Sequence, residues 1–306
     1  MRRFKRYVFG CFIFWLAASA SAYRVVRLTS DPGMESAPAW SPDGKTISFQ
    51  SDQGDDYDLC TIPAAGGAVT KLTDLSGLEG QPSYSPDGRY IVFTGLFAGV
   101  HGADEDIYIM PAAGGAYEGF SNMPGYDALP DWSRDGAAIA YSSERGSTGP
   151  NKIEDIWVQP YPTGEPRRLT FNGDLPAQCP AWSPDSKNIA FNAWVTPSTY
   201  DVDIFVVPAA GGTPVNITNT PGVQEFHPTW TADGKYIVFD RNLPENRDLY
   251  IIPAGGGEAT RLTEDPAIDY AAVCSPVDNR VAFASNRNGS FDIYILYVDD
   301  TSPENR

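Results

Sequence analysis

The chain has 306 residues, with 22 Lys and Arg against 39 Asp and Glu and a net charge of −17. That field repels phosphate backbones and excludes nucleic acid as a partner; it suits cations or a basic partner, or it serves solubility alone. The 29 Gly and 26 Pro mark a turn-rich globular chain, and no long stretch of helical periodicity interrupts the strand-like runs.

Residues 1–22 read as a signal peptide. Arg2, Arg3, Lys5 and Arg6 form a basic start, Val8–Ala20 a short apolar run, and Ala20-Ser21-Ala22 a small-x-small cleavage pattern. The run is too short to span a bilayer, and no other apolar stretch approaches the required length. Removing the leader removes four cations and makes the remainder more acidic still. Cys60, Cys179 and Cys274 are left; an odd number in separate segments argues against a disulfide framework and for small buried residues.

From Tyr23 onward one unit recurs six times. Its marker is Trp40–Gly44 (Trp-Ser-Pro-Asp-Gly), followed by Tyr84–Gly88, Trp132–Gly136, Trp182–Ser186, Trp230–Gly234 and Cys274–Asp278, at spacings of 44, 48, 50, 48 and 44 residues. Ser-Pro-Asp-Gly is hairpin chemistry: Pro presets φ, Asp bonds its own backbone, and Gly takes the left-handed corner. Ser186 in the Gly slot is the costlier choice. Each marker precedes an alternating run such as Ile47-Ser48-Phe49. Then come an Asp with a β-rich run (Asp58, Asp106, Asp155, Asp203, Asp248, Asp292), a Gly-rich turn, and a short strand such as Lys71-Leu72-Thr73. Four short strands make one blade, and a lone blade cannot bury both faces, so blades stack round an axis. The expected fold is all-β: a six-bladed β-propeller of four-stranded antiparallel blades. The sixth unit lacks a fourth strand, and Arg24–Thr29 supplies it, closing the ring.

The Trp-Ser-Pro-Asp-Gly, Asp-Ile-Tyr and Leu-Thr elements resemble the PD40 repeats of the TolB-type propeller family, which are WD40-like, over essentially all of residues 23–306. The resemblance implies a periplasmic or secreted location and a propeller that holds a protein or peptide partner, such as a cell-envelope lipoprotein, against one face. The α/β domain that precedes the family's propeller has no counterpart in this sequence, so roles tied to it do not carry over. A monomer without a transmembrane segment is expected.

Function is expected where the copies differ. The spacing from the strand-two aromatic to the strand-three Asp is 9, 13, 14, 12, 9 and 9 residues, so the second to fourth units carry longer loops. These hold Phe97, His101, Arg145, Lys152, Trp194 and Tyr200, and binding residues concentrate on such loops; plain drift in loop length is the other reading. Five residues before the Trp position stand Glu35, Glu79, Asp127, Glu225 and Asp269, with Ala177 as the exception. They form either a carboxylate ring at the channel mouth, suited to Ca²⁺ or a basic group, or a repeated turn cap. Asp52, Asp55, Asp56 and Asp58 crowd one loop without a calcium-loop spacing. His227 stands near the channel, beside Glu225. Nucleophile elbows, His-Glu-x-x-His, phosphate loops and Cys-x-x-Cys pairs are absent from the sequence. The reading is a binding scaffold; the alternative is a metal-dependent lyase or hydrolase acting on polysaccharide at the channel mouth, through His227.

Overall fold

A computed structural model describes residues 23–52, 56–74, 77–97, 104–121, 125–147, 152–171, 173, 175–196 and 201–298. The expected signal peptide, Asp55, His101 and Tyr200 lie outside them. Among the described residues the regular structure is 24 strands, β1 to β24, with no helix. The repeat chemistry is visible turn by turn. Ser41 Oγ donates to Asp43 Oδ1 at 2.7 Å, and that oxygen accepts the Lys45 N–H at 3.1 Å, while Gly44 takes φ +67°. Asp87, Asp135, Asp185 and Asp233 repeat the arrangement. Ser186 does adopt φ +58°, but its Oγ accepts the Asp135 N–H from the preceding repeat at 3.0 Å, which offsets part of the strain.

The expected set of six separate blades is corrected by the sheet topology. The structure has four separate four-stranded blades, not six: β2–β5 (Glu35–Lys71), β6–β9 (Gly77–Gly119), β10–β13 (Asp127–Arg168), and β22–β24 (Asp269–Tyr297) with β1 (Arg24–Arg27). The fourth and fifth repeats share one eight-stranded sheet, β14–β21 (Ala177–Arg261). The cause is local. β16 starts at Val202 and β18 at Gln224, and Val202 pairs with Gln224 in parallel. The Val202 N–H also reaches the Val223 carbonyl at 3.2 Å. Elsewhere the same approach yields only isolated bridges, Tyr57 to Leu78 and Arg247 to Ile268.

β1 lies antiparallel on β24, from Arg24 opposite Tyr297 to Arg27 opposite Tyr294. Thr29 Oγ1 accepts the Ile293 N–H at 2.9 Å. The first described segment thus completes the last repeat.

The core lies between repeats. Phe49, Phe93, Tyr141, Phe191, Phe239 and Phe283 on the second strands are at most 2% exposed, and each cluster mixes neighbours, as Ile156, Val158 and Leu169 do with Trp182, Ile189 and Phe191. Burying each ring contributes about 2–3 kcal/mol. Four of the strand-three Asp residues, Asp58, Asp106, Asp155 and Asp248, are fixed by the Thr or Ser that follows the next short strand. Thr73 Oγ1 accepts the Leu59 N–H at 2.8 Å and donates to Asp58 at 3.5 Å; Thr170 and Thr263 do likewise for Asp155 and Asp248. Lys71, Arg168, Arg261 and Arg27 add ion pairs to Asp58, Asp155, Asp248 and Asp292.

Strand direction defines two ends of the central channel. One, the loop face, carries the connections between repeats and the loops joining second to third strands. The other, the turn face, carries the Ser-Pro-Asp-Gly turns.

Candidate functional site at the channel

Every innermost strand slips register just ahead of its Trp position, between Ser36 and Ala39 in the first copy and between Phe226 and Thr229 in the fifth. The residue at the slip is left-handed in all six copies: Ala37, Gln81, Leu129, Cys179, His227 and Ala271, with φ between +47° and +57°. For a non-glycine residue this costs of order 1 kcal/mol. The freed amide repays it across the seam. Gln81 N–H donates to Gln50, Leu129 N–H to Thr94, Cys179 N–H to Ser142 and Ala271 N–H to Asp240, at 3.0–3.2 Å. The device is structural, yet it aims six different side chains at one space. They line a cavity of about 220 Å³ that continues to the turn face, past Asp131 and Arg134. Asp131 is committed to the fold: it accepts Ser83 Oγ at 3.0 Å and the Trp182 N–H at 2.7 Å.

One wall carries a polar cluster. His227 Nδ1 lies 2.9 Å from Asp240 Oδ1, and Arg247 Nε donates to Asp240 Oδ2 at 2.6 Å. Asp240 is fully buried. Burial alone would favour its neutral form, but His227 and Arg247 outweigh that and hold it below the ordinary carboxylate range. An ionised carboxylate only accepts, so Nδ1 carries the proton and Nε2 is the nitrogen left for the channel. Cys179, in the neighbouring repeat, has its thiol pushed up to about 12 by burial, which disfavours the thiolate.

Above this cluster, towards the loop face, runs an aromatic strip. Trp194 lies 6.3 Å from Phe226, and His227 is 6.2 Å from both Phe226 and Tyr270. Tyr270 meets Phe291 edge-on at 5.2 Å. The Arg247 guanidinium lies 5.0 Å from Phe226 and 5.4 Å from Tyr270, a cation–π arrangement. Where Phe226 and Tyr270 stand, the other repeats place Ser36, Gly80, Ala128 and Gln178. At this repeat position aromatic side chains stand only in the fifth and sixth repeats.

Of the residues expected at a binding site, Trp194 and His227 are brought together here. Phe97 instead packs on Tyr108 and Tyr117, with centroids at 4.8 and 5.0 Å, in the core of the second repeat. Lys152 reaches Glu144 at 3.2 Å. Arg145 pairs with Asp127 at 3.1 Å. The five carboxylates do begin the innermost strands, but at most 2% exposed and in the seams between repeats; none lines the cavity. Glu225 pairs with Arg241 at 2.7 Å and Asp269 with Arg287 at 2.9 Å. Glu79, opposite Gly95, has no such arginine, and burial pushes its carboxyl up to about 7. Burial also raises Asp127, Glu225 and Asp269. Among the described residues no three His, Cys, Asp or Glu side chains come together to hold a metal ion.

Sequence reasoning missed Phe226, Asp240, Arg247, Tyr270 and Phe291. The signal was there for Phe226 and Tyr270, which break a repeat position otherwise held by Ser, Gly, Ala or Gln. Asp240 takes the seam-acceptor position of Gln50, Thr94 and Ser142, and nothing in the sequence says that it also reaches His227.

The chain is similar in fold to TolB from Acinetobacter baumannii, with 22% identity and a TM-score of 0.63, covering 89% of this chain and 56% of that one. It is likewise similar to a putative TolB from Agrobacterium tumefaciens, with 21% identity and a TM-score of 0.66 over 89% of this chain and 96% of that one. An oligogalacturonate lyase from Vibrio parahaemolyticus shares 13% identity and a TM-score of 0.60, over 92% and 96% of the two chains. The chain thus spans little more than half the length of the Acinetobacter protein. No curated protein matches it. Likeness at these identities shows the fold alone. The family model of the TolB β-propeller domain, PD40, matches residues 14–100 and 175–305, and the chain belongs to that family.

Proposed function

We propose that this chain is a periplasmic or secreted scaffold, processed after residue 22, whose 23–306 propeller binds a protein or peptide partner over the loop-face mouth of its channel. The observation that carries the reading is the one-sided aromatic strip of Trp194, Phe226, Tyr270 and Phe291 beside His227. Aromatic anchors at a recess dominate the energetics of protein recognition, and the strip departs from the repeat consensus while the residues that build the propeller do not. Membership of the TolB propeller family supports the same use, and a cell-envelope lipoprotein is the partner class to seek first. The test is a pull-down from periplasmic extract with the wild type and with Trp194→Ala/Tyr270→Ala, each with and without chelator. A discrete partner retained by the wild type, lost by the double variant and indifferent to chelator is expected. Recovery of the same proteins on both would defeat the reading.

A second reading rests on the Asp240–His227 pair, which is built like an oriented general base, and on the likeness to an oligogalacturonate lyase. In it, His227 Nε2 takes the proton α to the carboxylate of a uronide bound at the mouth, the electron pair forms the C=C bond, and the glycosidic oxygen on the β carbon leaves and is protonated. Formation of unsaturated uronides from pectic oligosaccharides, abolished by His227→Gln, would favour it over the scaffold.

A further inference from the structure

The two ends of the channel differ in charge. On the turn face nearly every hairpin Asp carries its own cation two residues on: Asp43 with Lys45, Asp87 with Arg89, Asp185 with Lys187, Asp233 with Lys235 and Asp278 with Arg280, at 2.8–3.7 Å. Arg134 adds a further positive charge there. The loop face has no such balance. Its loops and connections carry Asp52, Asp56, Asp104, Asp201, Glu245 and Asp265. The described lysines and arginines on this side are already matched: Lys71 by Asp58 and Asp74, Lys152 by Glu144, and Arg145, Arg241, Arg247 and Arg287 by buried carboxylates. Much of the net charge of −17 therefore faces the mouth that the aromatic strip borders.

The same rim exposes apolar side chains at one repeat position. Six residues before the Trp position stand Ile268, Met34 and Leu78, 38–41% exposed, in the last, first and second repeats, which are consecutive around the ring. Leu78 is bridged to Tyr57, and Tyr57 and Tyr270 lie close enough to interact electrostatically. The aromatic strip and these residues make one arc around the mouth, running from Trp194 in the fourth repeat through the fifth, sixth and first to Leu78 in the second.

We propose that the occupant of this arc is a basic, extended peptide segment with apolar anchors, drawn in by the loop-face field and seated on the arc. The inference rests on the scaffold reading and names the chemistry of its partner. Charge complementarity selects a cationic segment, because a field of this sign repels anionic headgroups and phosphates. The recess beside a curved strip admits a narrow chain better than a flat surface, and exposed apolar side chains in an arc give alternate anchors.

The experiment uses a short fluorescently labelled synthetic peptide of lysine, phenylalanine and proline, and two controls: one with every lysine changed to glutamate, one with every phenylalanine changed to serine. Anisotropy titrations on the full chain at low and at physiological salt should show binding of the first peptide only, weakened about tenfold by the salt increase. Tyr270→Ala should weaken it about tenfold as well. Glu245→Lys/Glu264→Lys, at two exposed positions with no hydrogen bond or ion pair, should weaken it while leaving the melting temperature unchanged. Equal binding of the glutamate peptide, or indifference to both salt and charge reversal, would overturn the cationic assignment. The scaffold reading would survive that result if the Trp194→Ala/Tyr270→Ala pull-down still lost a native partner. If no peptide binds and the pull-down is empty, both fail together.

Discussion

Glu79 should make the stability of this protein fall as pH rises through neutrality. It is wholly buried where the first repeat meets the second, and burial is the main reason its carboxyl is pushed from 4.5 up to about 7. The Thr73 hydroxyl pulls the other way, Asp58 and Asp56 push it further up, and Lys71 pulls back. A group whose folded-state value is raised stabilises the fold while it is protonated in both states and loses that contribution as pH climbs from the unfolded to the folded value, here between about 4.5 and 7. Moving a carboxyl over that interval corresponds to at most about 3 kcal/mol, and rearrangement of the seam on ionisation reduces it to about 1–2 kcal/mol. Glu79→Gln keeps the shape and removes the titration. Urea unfolding followed by tryptophan fluorescence at pH 5, 6, 7 and 8 should give E79Q and wild type equal stability at the acid end and E79Q the advantage, by about 1–2 kcal/mol, at pH 8. The difference between the two proteins isolates this group from Asp127, Glu225 and Asp269, whose values burial also raises. A difference that does not change with pH, or an E79Q that is weaker at pH 8, would refute the argument.

Removing the arginine from a fully paired seam should be far more costly: Arg241→Ala leaves Glu225 buried and uncompensated, and a loss of about 3–5 kcal/mol is expected in the same unfolding assay. Deleting residues 23–29 removes β1, the Arg27–Asp292 pair and the Thr29 hydrogen bond. The bare edge of β24 should lower the calorimetric melting temperature and promote self-association visible by sedimentation. Ser186→Gly relieves the left-handed strain but loses the bond from the Asp135 amide, so the two effects of about 1 kcal/mol each should nearly cancel; a loss of several kcal/mol would show that the hydroxyl matters more than its geometry suggests.

The repeat was legible because its turns demand particular residues. Asp43 and Gly44 announce a hairpin, and the alternation of Ile47, Ser48, Phe49 and Gln50 announces a strand. The pairing of Arg24–Arg27 with Tyr294–Tyr297 followed from counting strands. What the sequence could not reveal is how far one strand overruns. The merged sheet depends on Val202 and Gln224 reaching each other, a matter of one residue at each strand start. The carboxylates Glu35 to Asp269 stand near the starts of the innermost strands but are buried in the seams and do not line the cavity: position in a repeat fixes which end of the channel a residue is near, but not whether it turns into the bore or into the seam. Arg145, Arg241 and Arg287 pair with three of them in the seam; Arg145 and Arg287 share one repeat position, thirteen residues after the Trp position, but Arg241 stands two residues earlier and the other repeats have no counterpart.

Asp240 shows why the site hid behind the fold. Its Oδ1 accepts the Ala271 amide, as Gln50, Thr94 and Ser142 accept the corresponding amides of their neighbours, and by that measure it is one more seam residue. Being charged, it also fixes the His227 tautomer and neutralises Arg247 between two aromatic rings. Fold and site share one carboxylate, so Asp240→Ala would strand an imidazole, a guanidinium and an amide at once and cannot separate the two. His227→Asn can: its side-chain amide stands where Nδ1 does and can still donate to Asp240, Asp240 keeps Arg247 and the Ala271 amide, and the nitrogen offered to the channel is removed. Unchanged stability with altered ligand or product formation assigns that nitrogen to function, whereas a fall in stability of several kcal/mol assigns it to the seam.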